Sequence, residues 1–334
     1  MSKYLIFRTD RIGDFITSQS LISSIKLASK KNEIDLVVSK YNYKYIKNFK
    51  YINKLYIFDN YNYRFINFLL LILNVRKQYD YLIVLDGKRR SFLSSLFLKA
   101  KKKICFMKDF YPTFLISTFN YKYIKNSELN FQKKNFEILA NYLDIKMPNV
   151  INYYYKYTFK KNKIIIPKSY IHFHLGEKWF EGYYHHDFDY MKLDPQNIYN
   201  LIKDIIKNTN QNLIITQGNK TTKTMLQFKK KFFKKNKKIN IIKFYKKNAY
   251  FIDNTDFRDL EYIVSKSKFL LCCEGAISHV SHSFNIKTIL LYQKNNYKTA
   301  NFWTGHMESI YMIKRGPINK LKNNILKIFK DNLD

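Results

Sequence analysis

The stretch Phe269-Leu270-Leu271-Cys272-Cys273-Glu274-Gly275-Ala276-Ile277-Ser278-His279 decides the fold of this 334-residue chain. It is an apolar run that ends in an acid and a glycine, and it leads through a helical segment to a second apolar run, Thr288 to Tyr292. The pattern predicts strand, tight turn, helix, strand. In an open parallel sheet, ligands bind beyond the carboxyl ends of the strands. A glycine there lets the backbone approach the ligand closely, and the start of a helix offers free N–H groups. Gly275, Ala276 and Ile277 are therefore candidate donors of hydrogen bonds to an anion.

Glycine is scarce in this chain. It occurs at 8 positions, whereas average usage of about 7% would give roughly 23. A chain that drops glycine wherever it can keeps it where no side chain fits. Five of the eight lie at or near the ends of apolar, strand-like runs: Gly13, Gly87, Gly176, Gly218 and Gly275. This distribution is typical of a doubly wound α/β protein with a site along its strand ends.

Strand-like runs alternate with helical patterns from Lys3 to Phe106 and again from Tyr170 to Tyr292. Such alternation predicts parallel strands with right-handed crossovers. Between the two stretches, residues 111–126 are aromatic and irregular, and residues 129–143 predict one helix. The sequence thus predicts an α/β fold with two Rossmann-like domains, 1–150 and 151–334, facing each other across a cleft.

The chain is strongly basic, with 60 Lys and Arg against 25 Asp and Glu and a formal net charge of +35. Such a charge attracts phosphate-rich partners, although most lysines are scattered, as on solvated faces. No ribonucleoprotein strand motif, helix-turn-helix or zinc pattern accompanies the charge, so a nucleic-acid partner is not predicted. A nucleic-acid-binding protein remains an alternative, which one continuous basic groove would favour.

The three cysteines, Cys105, Cys272 and Cys273, lie inside apolar runs without metal-like spacing, which indicates a reducing compartment. No signal-peptide pattern opens the chain. The most apolar stretch, 65–75, is shorter than the roughly 20 residues that a membrane span needs. We therefore expect a cytoplasmic protein, with peripheral contact at the cytoplasmic membrane face left open.

Four short motifs occur in a characteristic order, and together they resemble glycosyltransferase family 9, the bacterial lipopolysaccharide heptosyltransferases that use ADP-heptose. The motifs are Arg8-Thr9-Asp10-Arg11-Ile12-Gly13-Asp14, Tyr79 to Gly87, His174-Leu175-Gly176 and Glu274 to His279. The resemblance implies a GT-B fold of two Rossmann-like domains and an inverting transferase without metal or other cofactor. It implies a nucleotide-sugar donor on the C-terminal domain and, on the N-terminal domain, an acceptor, here an anionic glycolipid.

Two departures from the family pattern concern the donor site. Glu274 stands where the family usually has Asp, and Glu177-Lys178-Trp179 follows the histidine motif where the family has Lys-Arg-Trp-Pro. Lys192-Leu193-Asp194-Pro195 also resembles that second motif. Either Lys178 or Lys192 is therefore the candidate phosphate-binding lysine, and the donor sugar is less firmly indicated than the fold.

Asp14 is the candidate catalytic base, because family members carry the proposed base at this position. The alternative role is a helix-capping carboxylate, which the helix start would make a weaker base. Arg8 and Arg11 are candidates for binding acceptor phosphate, or are surface charges without a ligand. Asp86 and Gly87 are expected to shape the acceptor pocket.

On the donor side, the leaving diphosphate needs neutralisation by protein groups, for which the amides of Gly275, Ala276 and Ile277 and one lysine are the candidates. Glu274 would accept hydrogen bonds from sugar or ribose hydroxyls. His279, His174 and Gly176 are further candidates on this rim, and each histidine has packing as its alternative role. The sequence is also compatible with a same-fold transferase that uses another nucleotide sugar for capsule or glycoprotein acceptors, and with a non-catalytic relative.

Overall fold

The computed structural model describes residues 1–47, 49–58, 64–107, 113–127, 130–147, 166–180, 193–218, 221–233, 239–253, 255–293 and 297–333. The chain divides into two compact units, Met1–Lys156 and Tyr157–Asp334. The predicted boundary at residue 150 lies outside the described residues. Within the described part, no helix is both long and apolar enough to cross a bilayer.

The first unit alternates strands and helices throughout. Its strands are β1 (Lys3–Arg8), β2 (Glu33–Val38), β3 (Lys54–Ile57), β4 (Tyr79–Val84), β5 (Ala100–Met107) and β6 (Tyr121–Lys125). Its helices are α1 (Ile12–Ala28), α2 (Lys40–Ile46), α3 (Arg64–Asn74), α4 (Arg89–Ser95), α5 (Thr113–Thr118) and α6 (Gln132–Tyr142).

These strands form one parallel sheet in the order β3-β2-β1-β4-β5-β6. The chain builds outward from β1 on one side and from β4 on the other, so the strand order reverses between β1 and β4. Buried aliphatic residues, including Leu5, Leu82 and Val84, fill the core beneath the helices. The turns after β1 and β4 lie at this switch point, where open α/β sheets bind ligands.

The second unit follows the same plan. Its strands are β7 (Tyr170–Leu175), β8 (Asn212–Gln217), β9 (Ile239–Phe244), β10 (Lys247–Ile252), β11 (Phe269–Cys273), β12 (Lys287–Tyr292) and β13 (Ile310–Lys314). Its helices are α7 (Pro195–Thr209), α8 (Lys223–Phe232), α9 (Phe257–Ser265), α10 (Ala276–Ser283), α11 (Tyr297–Thr304) and α12 (Ile318–Asn332), with a short 3-10 helix at Glu177–Trp179.

The second sheet has the order β13-β12-β11-β7-β8-β10-β9, and all its neighbours are parallel except β9 and β10. Its strand order reverses between β7 and β11. The register aligns Cys272 of β11 with His174 of β7, and His174 with Thr216 of β8. Each of these three residues is the last but one of its strand, so the carboxyl ends of the three adjacent strands lie side by side.

The structure confirms the two Rossmann-like units and corrects several predicted elements. The stretch 111–126 contains α5 and β6 in its described part, where no regular element was predicted. Residues 239–252 form an antiparallel hairpin inside the stretch 170–292, where the alternation predicted parallel strands. The segment 298–306 lies beyond the predicted alternation, and most of it forms helix α11. The hairpin turn Tyr245-Lys246 lacks glycine, and Tyr245 adopts the left-handed conformation instead (φ 50°), which hid the turn from the sequence pattern.

Candidate active site

Asp14 lies in the first turn of α1, at the end of the loop that follows β1. Its carboxylate Oδ2 accepts a hydrogen bond from the backbone N–H of Arg11, at 3.1 Å, and the side chain is half-buried. Arg11 is the residue before the helix, so this bond satisfies one of the N–H groups that a helix start leaves without an intrahelical partner. Asp14 therefore caps the helix and still presents a carboxylate at the switch point.

Arg8, the last residue of β1, is buried, with 3% of its surface exposed. Its guanidinium donates to the carbonyl oxygens of Leu85 at 2.9 Å and of Asp14 at 3.0 Å, and it pairs with Asp10 at 3.1 Å. These contacts hold the end of β4 and the first turn of α1 together. They favour a structural role over the predicted contact with acceptor phosphate. Arg11 is exposed on the same loop.

Asp86 is tied into the protein by four hydrogen bonds. Its carboxylate accepts from the Thr9 backbone and hydroxyl at 3.1 and 2.6 Å, the Ser91 hydroxyl at 2.6 Å and the Lys88 backbone at 3.1 Å. It links the β1–α1 loop to the turn that begins α4. The adjacent Gly87 has φ +61°, a conformation that L residues rarely adopt. Both residues shape this rim through the backbone they fix, and their predicted contact with acceptor stays a prediction.

Two residues that the sequence did not single out as site residues lie in the same cluster. Burial raises the pKa of the Asp10 carboxyl well above its usual value, and the nearby Arg8 opposes this. Burial lowers the pKa of the Lys88 ammonium, which Asp10 and Asp86 partly offset. Lys88 directly follows Asp86-Gly87 at the end of a strand, and this position in the sequence could have indicated it as a site residue.

In the second unit, Lys178 lies against the turn between β11 and α10. The short 3-10 helix after β7 places its ammonium 2.7 Å from the carbonyl oxygen of Glu274 and 3.9 Å from the Glu274 carboxylate. The structure thus brings Lys178 to the predicted anion site on the neighbouring strand. Lys192, the other candidate lysine, lies outside the described residues.

Gly275 begins α10 in an extended conformation, with φ 165° and ψ −174°. A Cβ atom at this position would meet only the Cys273 carbonyl oxygen, at 3.9 Å, which is ordinary contact. Neither backbone strain nor packing within the protein requires glycine here. The absence of a side chain instead leaves the first N–H groups of α10, at Ala276 and Ile277, open to the approach of a ligand.

Thr216 bridges two histidines on the strand beside it. Its hydroxyl lies 2.8 Å from Nε2 of His172 and 2.9 Å from Nδ1 of His174, and Thr216 is fully buried. Burial lowers the pKa of His172 well below its usual value and that of His174 to about 4. Because one hydroxyl carries one proton, one imidazole accepts from it and the other donates to it. This pairing fixes the orientation of the His174 ring at the strand end.

Gly176 lies two residues after His174. A Cβ atom at this position would lie 3.3 Å from Nε2 of His174, which is closer than ordinary van der Waals contact. Trp179 donates from Nε1 to the His174 carbonyl oxygen at 2.9 Å, which closes the loop that carries Lys178. The sequence did not single out Thr216 or Trp179 as site residues, although Trp179 belongs to the quoted motif Glu177-Lys178-Trp179. Their signal is positional, since Thr216 ends a strand neighbouring His174 and Trp179 follows the lysine.

His279 lies on the first turns of α10 and is 6% exposed. Burial lowers its pKa to about 3, and the nearby His282 and Lys178 lower it further. Its imidazole is therefore neutral at pH 7 and supplies no positive charge. Lys178 and the N–H groups of the helix start are therefore the candidates for neutralising an anion at this turn.

The family model of glycosyltransferase family 9 (heptosyltransferase) matches residues 71–327. The chain belongs to glycosyltransferase family 9. It is thus a glycosyltransferase, and the resemblance seen in its short motifs is confirmed. A search of the curated proteins by sequence found no match.

Solved structures share the fold of this family 9 chain. The Escherichia coli heptosyltransferase WaaC, bound to ADP-2-deoxy-2-fluoro heptose, has a TM-score of 0.71, 13% identity and 99% coverage of both chains. The E. coli ADP-heptose lipopolysaccharide heptosyltransferase II has a TM-score of 0.63, 12% identity and 100% coverage of both. A UDP-GlcNAc 2-epimerase from Methanocaldococcus jannaschii has a TM-score of 0.56, 12% identity and coverage of 98% and 92%. At these identities the likeness establishes the GT-B fold.

Proposed function

We propose that this glycosyltransferase transfers a heptose or a similar sugar from ADP-heptose to a lipopolysaccharide inner-core or related glycolipid acceptor. The observation that carries the proposal is the β11–α10 turn, where Gly275 leaves the helix start open and Lys178 contacts the same turn at 2.7 Å. The family match supports the reaction class. WaaC, which shares the fold, binds an ADP-heptose analogue.

The donor diphosphate would bind at the start of α10. Backbone N–H groups at a helix start and one ammonium are the groups that suit a phosphate. His279 and His174 are neutral at pH 7 because burial lowers their pKa to about 3 and about 4. They would therefore contribute hydrogen bonds and shape. Glu274, at the end of β11, would accept hydrogen bonds from sugar or ribose hydroxyls.

In the chemical step, the Asp14 carboxylate would take the proton of an acceptor hydroxyl as that oxygen attacks the anomeric carbon. The new bond joins the acceptor oxygen to the sugar, and the bond between the anomeric carbon and the diphosphate oxygen breaks. ADP leaves with the electron pair, and Lys178 and the α10 amides stabilise its charge. Attack opposite the leaving group inverts the anomeric centre, and no step in this scheme uses a metal ion.

The first prediction tests the donor site by thermal unfolding with ADP and ADP-heptose in the presence of EDTA. Ligand that binds only the folded protein raises the apparent stability in proportion to RT ln(1 + [L]/Kd). We expect both ligands to raise the Tm. Lys178→Ala should weaken their binding by roughly 10- to 100-fold, because a hydrogen bond to a charged group contributes about 1.5–3 kcal/mol.

Lys203→Ala is the matched control, since Lys203 is exposed on α7, in the same unit. It should bind ADP like the parent. Equal binding by Lys178→Ala and the parent would remove Lys178 from the donor site. A requirement for magnesium would contradict the metal-independent scheme.

A second candidate is a transferase of another nucleotide sugar, for a capsule or glycoprotein acceptor. It is favoured by Glu274, whose longer side chain stands where the family usually has Asp. A panel of ADP-, UDP- and GDP-sugars in the same unfolding assay separates the two, because the true donor gives the largest shift. We further propose a cytoplasmic location, a partner set without nucleic acid, and peripheral contact with the inner membrane, where such a glycolipid acceptor resides.

A further inference from the structure

Helix α3 is apolar on the face that it turns away from its own unit. Four of its side chains are exposed, Ile66 by 51%, Leu69 by 41%, Leu70 by 48% and Leu73 by 55%. Their spacing of i, i+3, i+4 and i+7 places them on one side of the helix. Leu71, which is 2% exposed, packs into the core from the other side. The helix therefore has two apolar faces, of which the sheet covers one.

Helix α7 shows what a surface helix of this chain ordinarily looks like. Its buried face carries Ile198, Leu201, Ile202 and Ile205, and its exposed positions carry Lys and Asn, among them Lys203 and Lys207. Its polar face is the one in contact with water, as expected for a globular protein. The exposed leucines of α3 depart from this pattern.

An exposed aromatic side chain extends the apolar surface of α3. Phe97, between α4 and β5, is 61% exposed, and its ring centroid lies 5.4 Å from that of Phe68 on α3. We define the α3 patch as Ile66, Leu69, Leu70, Leu73 and Phe97. Contiguous exposed apolar patches of this kind mark interaction sites.

The sequence around the α3 patch is basic, although acids from neighbouring strands pair with part of that charge: Lys77 pairs with Glu33 and Asp35, and Lys101 pairs with Asp80. Residues 60–79 contain three Lys or Arg and no Asp or Glu, and residues 87–107 contain seven Lys or Arg and no Asp or Glu. Arg76 lies just beyond α3 and donates from Nε to the Leu73 carbonyl oxygen at 2.9 Å. Lys99, two residues after Phe97, is exposed. An apolar face within a cationic rim complements an anionic bilayer surface, which offers hydrocarbon beneath negative headgroups.

A second copy of the chain fits this surface less well. The α3 patch consists of five side chains, whereas each partner of a standard protein interface contributes roughly 20–30 residues. A symmetric dimer through α3 would also bring the exposed Arg76 and Lys99 of the two copies together, and like charges in close contact repel each other.

We propose that the α3 patch is the membrane-docking surface of this protein. Its apolar side chains enter the interfacial region of an anionic bilayer, and the flanking Lys and Arg residues contact the headgroups. The proposal extends the membrane contact of the proposed function, and it holds whichever sugar is transferred, because docking involves neither donor nor catalytic residues.

The second prediction tests this surface by flotation of the full chain with vesicles of phosphatidylcholine containing 30% phosphatidylglycerol, at 0.1 M salt and without substrate. Leu70→Gln/Leu73→Gln should weaken vesicle binding at least tenfold, because each leucine loses its transfer into hydrocarbon. The matched control is Leu226→Gln/Ile241→Gln, at two positions of the second unit that are 50% and 52% exposed. It should change binding less than twofold.

A second double variant tests the basic residues beside the α3 patch in the same vesicle assay. Arg76→Gln/Lys99→Gln should weaken binding by about thirtyfold, since each of the two basic residues contributes roughly 1 kcal/mol near an anionic surface. Pure phosphatidylcholine vesicles, or 0.5 M salt, should have a similar effect on the parent.

Three results would overturn the proposal. The first is parent-like vesicle binding by the double leucine variant, and the second is equal binding of the parent to neutral and anionic vesicles. The third is a parent dimer in analytical ultracentrifugation that this variant converts to a monomer, which would make the α3 patch a self-association surface. ADP binding by the same variants, followed by thermal shift, reports on the transferase site separately, so either proposal can fail without the other.

Discussion

The β1–α1 turn and the β11–α10 turn both lie at the point where their sheet reverses its strand order, yet they carry opposite chemistry. Around the first, three carboxylates gather, those of Asp10, Asp14 and Asp86, and the protein's own N–H and hydroxyl groups bond to Asp14 and Asp86. At the second, a glycine opens the start of a helix and Lys178 lies against it. One turn is built to hold carboxylates, and the other suits an anion from outside.

Burial acts on both turns in the same direction, toward neutral side chains. It raises the pKa of the Asp10 carboxyl and lowers the pKa of the His174 and His279 imidazoles. The fold thus restricts charge near both turns to a few groups. In the proposed reaction, the first turn would accept a proton and the second would stabilise negative charge, which are the two tasks that sugar transfer from a nucleotide requires.

The third prediction has the largest expected effect and tests the first turn. In Asp14→Asn, the amide oxygen can still accept from the Arg11 N–H, but the side chain cannot take a proton at neutral pH. We expect turnover to fall by ~10² to 10⁴, the usual contribution of general acid–base catalysis. Stability and ADP affinity should stay near those of the parent, and steady-state kinetics with thermal shift measures all three.

Asp10→Asn is the companion variant, because Asp10 is the other carboxyl of this turn that is not saturated with hydrogen bonds from the protein. If Asp14→Asn keeps full turnover while Asp10→Asn loses it, the base is Asp10. Full turnover by both variants would leave Asp86 as the remaining carboxylate of this turn and would direct attention to Asp86 and His174.

The fourth prediction concerns the second unit and its buried histidines. The folded protein holds His174 neutral, with a pKa of about 4, whereas the unfolded chain binds a proton near the ordinary value of about 6.5. The unfolded state therefore binds more protons below pH 6.5, and stability falls as pH drops from about 6.5 toward 4. The loss attributable to His174 is on the order of 3 kcal/mol, and His279 adds to it in the same window.

Denaturant unfolding at a series of pH values measures how steeply the free energy of unfolding falls as the pH drops. His174→Gln removes one of the titrating groups and should flatten the curve between pH 6.5 and 4.5, although it lowers stability at pH 7. A variant with the parent's slope would show that His174 is protonated in the folded state, and its imidazolium could then contribute charge at the donor turn.

The sequence predicted the fold well where pattern and geometry agree. Apolar runs that end in glycine located the strands whose carboxyl ends form both turns, and the four motifs pointed to the family. Prediction failed at β6, β10 and β13. β6 and β13 are edge strands and β10 pairs with the antiparallel edge strand β9, and all three contain lysines and tyrosines, so they lack the continuous apolar run of a buried parallel strand.

The residues of the candidate site were predicted from their positions at strand ends, but their hydrogen-bond partners could not be predicted. Arg8 shares a motif with Asp14 in the sequence, yet only the structure shows its guanidinium committed to backbone oxygens 2.9 and 3.0 Å away. Thr216 lies far in sequence from the histidines it bridges, because the register of neighbouring strands brings them together. A sequence gives the residues at strand ends, whereas their hydrogen bonds depend on which strands are neighbours.

The fifth prediction has the smallest expected effect and compares two glycines, Gly275 of the β11–α10 turn and Gly87 of the β4–α4 turn. Gly87 has φ +61°, so Gly87→Ala should lower the free energy of unfolding by about 1 kcal/mol. Gly275 is extended and has room for a Cβ, so Gly275→Ala should change the free energy of unfolding by less than about 0.5 kcal/mol.

If a diphosphate approaches the β11–α10 turn, however, the new methyl group of Gly275→Ala should weaken ADP binding by about tenfold, or roughly 1.4 kcal/mol. Denaturant unfolding and ADP titration of the two variants measure both quantities. Unchanged ADP affinity in Gly275→Ala would place the donor elsewhere, because a turn that tolerates a methyl group in both the free and the bound protein is not one that a phosphate must reach.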